Sequence, residues 1–99
     1  MLDQNHFSMM TGGDRALQSE VADLFRGQAE AWRAALTEDA AGEWREAAHR
    51  LKGSARGIGF WALAEACEAA EQAAPGQAGS RLEEVRASLD AALDDLRGY

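Results

Sequence analysis

The sequence predicts an all-α protein: an antiparallel up-down four-helix bundle, with residues 2 to 10 free to add a short extra N-terminal helix over one end. Three observations carry this reading. Apolar residues recur at spacings of three and four, or their sums, through four successive segments. No run alternates apolar and polar residues over strand length. The one proline, Pro75, falls between segments and not inside any of them.

The first long helix is expected from about 14 to 36, with Leu17, Val21, Leu24, Phe25, Trp32, Ala35 and Leu36 as its apolar stripe. The "TGGD" before it offers Thr11 as a cap with Asp14 three residues on. Residues 37 to 42, "TEDAAG", are small and polar and make a short break. The second helix runs from about 40 to 57, with Trp44, Ala47, Ala48, Leu51, Ala55 and Ile58 on its apolar side, and Gly57 and Gly59 stop it. The third carries Phe60, Leu63, Ala64, Cys67 and Ala70, and ends before the loop "APGQAGS". Ser80 and Glu83 make a Ser-x-x-Glu capping box that opens the fourth helix, whose stripe is Leu82, Val85, Leu89, Ala92 and Leu96. Short links between amphipathic helices favour antiparallel neighbours. A chain of 99 residues fits one domain, residues 1 to 99.

Composition narrows the function. The chain has 10 Lys and Arg against 17 Asp and Glu, a net charge of −7. That balance opposes non-specific nucleic-acid binding and attraction to an anionic membrane surface. No segment approaches the roughly 20 apolar residues of a membrane span. The N-terminus has an aspartate where a signal peptide is basic. The single cysteine, Cys67, has no intrachain disulfide partner and reads as a small buried hydrophobe. A cytoplasmic protein is expected. His6, His49 and Cys67 lack any local metal-ligand spacing, so no metal or other cofactor is expected on this chain. His6 reads as part of a disordered terminus, Trp32 and Trp44 as core, and the acidic run from Glu83 to Asp95 as a solvated helix face.

One stretch breaks the economy of the rest. In "AAHRLKGSARGIG", residues 47 to 59, Gly53 sits mid-helix in a chain rich in alanine, although glycine there costs about 1 kcal/mol. At roughly 100° per residue, Leu51, Ala55, Ile58 and Trp44 fall opposite His49, which therefore faces water. Lys52 lies about 60° to one side of His49 and Gly53 about 40° to the other, with Arg56 near the same line two turns on. Gly53, one turn from His49, removes a side chain that would reach across the imidazole and opens space for a large approaching body. Neutral imidazole is nucleophilic near pH 7, and flanking cations suit a phosphoryl group.

These residues resemble the signature of histidine-containing phosphotransfer (HPt) domains: His49, Leu51, Lys52, Gly53, Ser54, Ala55, Ile58 and Gly59 match a His-x-Leu-Lys-Gly core followed by small residues and an apolar-Gly pair. "LFRGQAEAWRAAL" resembles the family's first long helix and "LAEACEAAE" the helix after the site. The resemblance covers about residues 14 to 74 well, and the last helix by pattern only. It implies a four-helix bundle with a phosphorylatable histidine midway along the second long helix. His49 would take a phosphoryl group from a receiver-domain aspartate or a sensor histidine kinase and pass it on. Lys52 would steady the phosphoryl oxygens. Arg56 joins it on the wheel argument alone. The receiver would supply Mg²⁺ and most of the catalysis, which makes this chain a monomeric phosphocarrier and not an enzyme. Phe60 and Trp61 depart from the smaller residues common in the family. Phe60 fits the core stripe, and Trp61, about 100° off it, is a candidate docking residue.

Two other readings compete. A degenerate HPt-like module would dock on a receiver without being phosphorylated, and the intact His49, Lys52 and Gly53 argue against it. The dimerisation and phosphoacceptor region of a histidine kinase, or a phosphatase built on it, would form a dimer and work with an ATP-binding domain. The chain has no Gly-x-x-x-x-Gly-Lys-Ser/Thr loop.

Overall fold

The structure, a computed structural model, describes residues 1–38 and 42–99. These residues form five helices and no strand: α1 (Gln4–Thr11), α2 (Arg15–Ala35), α3 (Trp44–Ile58), α4 (Trp61–Glu71) and α5 (Ala78–Asp95). Residues 39–41 of the expected break lie outside the described residues. None of the described helices is long and apolar enough to cross a membrane.

α3 behaves as its spacing requires. Trp44, Ala47, Ala48, Leu51, Ala55 and Ile58 are all buried, and Gly59, at φ 107°, closes the helix in the left-handed region where a side chain is strained. Phe60 follows at once. Its N–H donates to Ala55 O at 2.8 Å, and its ring goes into the core, 5.4 Å from the Phe25 ring. α4 buries Leu63, Ala64, Cys67 and Ala70, and α5 buries Leu82, Val85, Leu89 and Ala92, with Leu96 buried just beyond its end. α4 packs against both α3 and α5, and α2 covers α3 and α5 from the other side.

Three local expectations change. The cap of α2 is Asp14, whose Oδ1 accepts from Ala16 N at 2.9 Å and Leu17 N at 3.2 Å. Thr11 instead ends α1, and its hydroxyl donates to Phe7 O at 2.7 Å. Gly12 and Gly13, both at positive φ, turn the chain between the two helices, so the Asp14 carboxylate and not the Thr11 hydroxyl meets the free N–H groups of α2. α5 starts at Ala78, so Ser80 lies inside the helix and forms no capping box; Gln77 is the cap residue, with no side-chain cap bond. The turn that Gly76 permits at φ 92° brings the chain into the helix early enough to bury Ala78.

The third change is a rotation of α2. Its buried face is Gln18, Ala22, Phe25, Ala29 and Trp32, continued by Leu36. Leu17 is 39% exposed and Leu24 68% exposed, so neither belongs to the core. Ala22 and Ala29 are small enough to let the helix backbone sit close to its neighbours, and this selects their face over the one the leucines mark.

The N-terminus is ordered by contacts. Leu2 is buried, Asp3 N donates to Gly59 O at 3.0 Å, and the Asp3 carboxylate caps α1 by accepting from His6 N at 3.0 Å. Phe7 is fully buried with its ring edge-on to Tyr99. His6, expected in a disordered tail, bonds through Nε2 to Gly57 O at 3.0 Å and packs edge-on against Trp61. The acidic face of α5 is also partly used: Asp90 pairs with Arg33 of α2 at 2.5 Å, and Asp95 accepts from Leu2 N at 2.9 Å.

Candidate functional site

α3 presents His49 on the face opposite its buried stripe, with 69% of the side chain exposed. Its Nδ1 lies 3.2 Å from Oε2 of Glu71, near the end of α4. An ionised carboxylate only accepts, so this contact selects the tautomer with the proton on Nδ1 and leaves the Nε2 lone pair directed to solvent. Gly53 and Gly57 continue the same face, and a Cβ on either would meet nothing within 4 Å. The surface beside His49 is therefore bare helix backbone.

Lys52 lies toward α4. Its stem is buried and its Nζ donates to Glu68 Oε2 at 2.6 Å. It also pairs with Glu71 Oε1 at 2.8 Å. That second oxygen is buried and accepts no hydrogen bond, so the contact is an ion pair with poor donor alignment. One Glu71 carboxylate thus bridges the imidazole and the ammonium. Arg56 is 57% exposed and lies 4.0 Å from Glu68 Oε2, a loose ion pair. Arg45, one turn before His49, has its guanidinium committed to the backbone oxygens of Glu71 and Ala73, where it satisfies the carbonyl end of α4.

The hydrogen bond to Glu68, then the pairing with Glu71, holds the Lys52 ammonium above its ordinary pKa. The same contact from Lys52 holds the Glu68 carboxyl below its ordinary value. The Glu68 contribution to folding is complete above the unfolded value of 4.5 and is lost as pH falls below it. The Lys52 contribution is complete below 10.5 and is lost as pH rises through the higher folded value. Glu68→Gln is therefore expected to lower the melting temperature at neutral pH, with a gap to the wild type that narrows as pH falls from 4.5 through the lower folded value, where the wild-type carboxyl is itself protonated. Thermal scans across pH 3 to 8 check it; a gap that stays constant with pH contradicts the assignment.

Trp61 is 43% exposed, but its indole N–H is already used, donating to Asp3 Oδ2 at 2.8 Å. That bond, after the His6 backbone N–H, keeps the Asp3 carboxyl below its ordinary pKa. Cys67 is fully buried, and burial pushes its thiol up to about 12, which makes it inert packing and no nucleophile. The structure thus brings His49, Lys52 and Arg56 to one side of α3 and gives Trp61 to the N-terminal strap. Sequence reasoning passed over Glu68 and Glu71. Their spacing of three marks a shared face of α4, the one signal available before the α3–α4 packing is known.

The family model for the Hpt domain matches residues 15–99. The chain is also similar to the histidine phosphotransferase ShpA from Caulobacter crescentus, whose crystal structure is known. Identity is 41%, the match covers 99% of this chain and 88% of that one, and the TM-score is 0.81. No curated protein sequence matches. The chain belongs to the Hpt domain family. Hpt domains work with receiver domains and histidine kinases in two-component systems. Residues 1–14, which hold α1 and the turn into α2, lie outside the family match.

Proposed function

We propose that this chain is a histidine phosphotransfer protein that carries a phosphoryl group on Nε2 of His49, to or from a receiver-domain aspartate. The observation that supports it most is the pairing of Nδ1 with Glu71 on an exposed histidine, which leaves Nε2 as the nucleophile above a glycine-bared helix face.

In this reading the Nε2 lone pair forms the N–P bond while the O–P bond of the receiver's aspartyl phosphate breaks, and the aspartate leaves as a carboxylate. The imidazole gains positive charge as it attacks. Glu71 stabilises that charge and keeps the Nδ1 proton. Return transfer reverses each step. Lys52 steadies the phosphoryl oxygens and Arg56 adds a second cation. The Mg²⁺ belongs to the receiver, so the chain is a carrier and not a catalyst in its own right.

The receiver sits over Gly53 and Gly57 and reaches the apolar groove beside them, where Ser54 and Ile58 of α3 meet Leu24 and Trp32 of α2 and Met10 of α1. The exposed ring of Trp61 is a further docking candidate on the other flank. The long helices α2 to α5 form the antiparallel bundle that presents this face, and the protein works as a cytoplasmic monomer.

The reading is tested by mixing the purified chain with a panel of phosphorylated receiver domains and following acid-labile label. Label on the chain from at least one receiver supports it. Folded chain that no receiver labels would move the assignment to a module that docks without phosphorylation.

Gly53 gives a sharper check. A methyl group fits there and the helix gains, so Gly53→Ala is expected to raise stability by about 0.5–1 kcal/mol. Gly53→Gln adds a side chain beside the imidazole and is expected to slow receiver transfer at least tenfold without unfolding the protein. Denaturant melts and transfer time courses read the two effects. Equal transfer by wild type and Gly53→Gln would mean the bare face is not where the partner lands.

A further inference from the structure

We propose that Glu68 sets how tightly this chain holds a phosphoryl group on His49, by competing with that group for the cations of α3. The inference rests on the carrier reading and deepens it.

Glu68 has every oxygen engaged. Oε2 accepts from Lys52 Nζ at 2.6 Å and lies 4.0 Å from Arg56, and Oε1 accepts from Gln72 Nε2 at 2.8 Å. Both cations that α3 sets beside the imidazole are therefore paired before any phosphoryl group arrives. The two glutamates that share Lys52 differ in freedom. Glu71 reaches His49 itself and is 21% exposed, with Oε1 buried. Glu68 hydrogen-bonds no atom of His49 and is 41% exposed. Glu71 is the less exposed of the two and also faces the imidazole, whereas Glu68 is the more exposed and keeps Gln72 as a donor when it yields Lys52.

A phosphoryl group on Nε2 brings anionic oxygens that need donors. Glu68 takes the one well-aligned N–H of the Lys52 ammonium, so to donate as squarely to a phosphoryl oxygen the ammonium turns from Glu68, while its ion pair with Glu71, which uses no aligned N–H, persists. The exchange makes and breaks no covalent bond. Lys52 stays an ammonium, and the Glu68 carboxylate turns to water and Gln72. Losing the 2.6 Å ion pair offsets part of what the lysine gives to phosphohistidine. The phosphorylated chain then releases its phosphoryl group more readily than one with an unpaired lysine, as a carrier that must also donate requires.

Phosphoramidate, a small-molecule donor that phosphorylates imidazoles directly, allows a test without a receiver. The phosphoryl signal is followed by ³¹P NMR across pH in the wild type, Glu68→Gln, Lys52→Gln and the double variant, with His49→Gln identifying the signal. Lys52→Met, which keeps the buried stem, replaces Lys52→Gln if circular dichroism shows that variant unfolded. Glu68→Gln is expected to lower the midpoint of the phosphoryl titration by about half a unit or more, because the released cations turn to the phosphoryl oxygens. In the Lys52 variant the same substitution is expected to have less than half that effect. An unchanged midpoint, or an equal shift with and without Lys52, overturns the proposal. A chain that takes phosphate from phosphoramidate but from no receiver sinks the carrier reading, while the titration still decides the competition. Failure of phosphoramidate to label His49 overturns both.

Discussion

His49→Gln is expected to abolish acid-labile phosphorylation by any receiver while leaving the protein folded. The imidazole is 69% exposed, and the substitution touches none of the buried stripe of α3. What it removes from the fold is the contact with Glu71, an ion pair only when the imidazole is protonated and worth less than about 1 kcal/mol at such exposure. What it removes from the chemistry is the exposed Nε2 lone pair, which nothing beside it replaces, since an amide nitrogen has no available lone pair and the neighbouring ammonium of Lys52 is protonated and paired. Loss of label should therefore be complete, with a melting temperature close to that of the wild type. Residual transfer in His49→Gln would place the phosphoacceptor elsewhere.

Phe60→Ala is expected to have the largest effect on stability. The ring is 1% exposed and packs against Phe25, which in turn packs against Trp32 at 5.0 Å between ring centroids. Truncating a fully buried phenylalanine costs about 3–5 kcal/mol, of which the cavity left behind is a large part. A domain of this size is stabilised by about 5–15 kcal/mol in all, so the loss is a large fraction of the total. At roughly 4–8 °C per kcal/mol, the melting temperature should fall by at least about 12 °C. The backbone role of Phe60, its N–H to Ala55 O, survives the change, so the effect reports packing and not the turn between α3 and α4. Phe60→Leu, which refills most of the space, should lose much less. Denaturant unfolding of the three proteins measures both differences.

α3 was the most legible part of the sequence. Its six apolar positions mark one face without ambiguity, and the exposed position of His49 follows from being opposite them. α2 was less legible because two faces compete. Leu17 and Leu24 are one residue out of step with Gln18 and Phe25, and hydropathy favours the leucines, whereas close packing favours the face with Ala22 and Ala29. The Gln18 amide is accommodated on the buried face because it donates to the Thr11 hydroxyl at 3.1 Å, a bond between helices that no local pattern announces.

The site divides in the same way. His49, Lys52, Gly53 and Arg56 share one helix, so their relation follows from the turn of that helix alone. Glu68 and Glu71 lie 16 to 22 residues further on, in the partners of Lys52 and His49, and their role depends on the packing of α4 against α3. The N-terminal strap was illegible for a different reason. Asp3, His6 and Trp61 are held by hydrogen bonds to each other and to Gly57 and Gly59, and little of that comes from an apolar stripe.

The most direct test of the account is to locate the phosphoryl group after transfer from a receiver, by ³¹P NMR of ¹⁵N-labelled protein, which distinguishes the two imidazole nitrogens. The account predicts one phosphorylated nitrogen, Nε2 of His49, with Nδ1 still protonated against Glu71. Phosphate on Nδ1 of His49, or on His6, would contradict it.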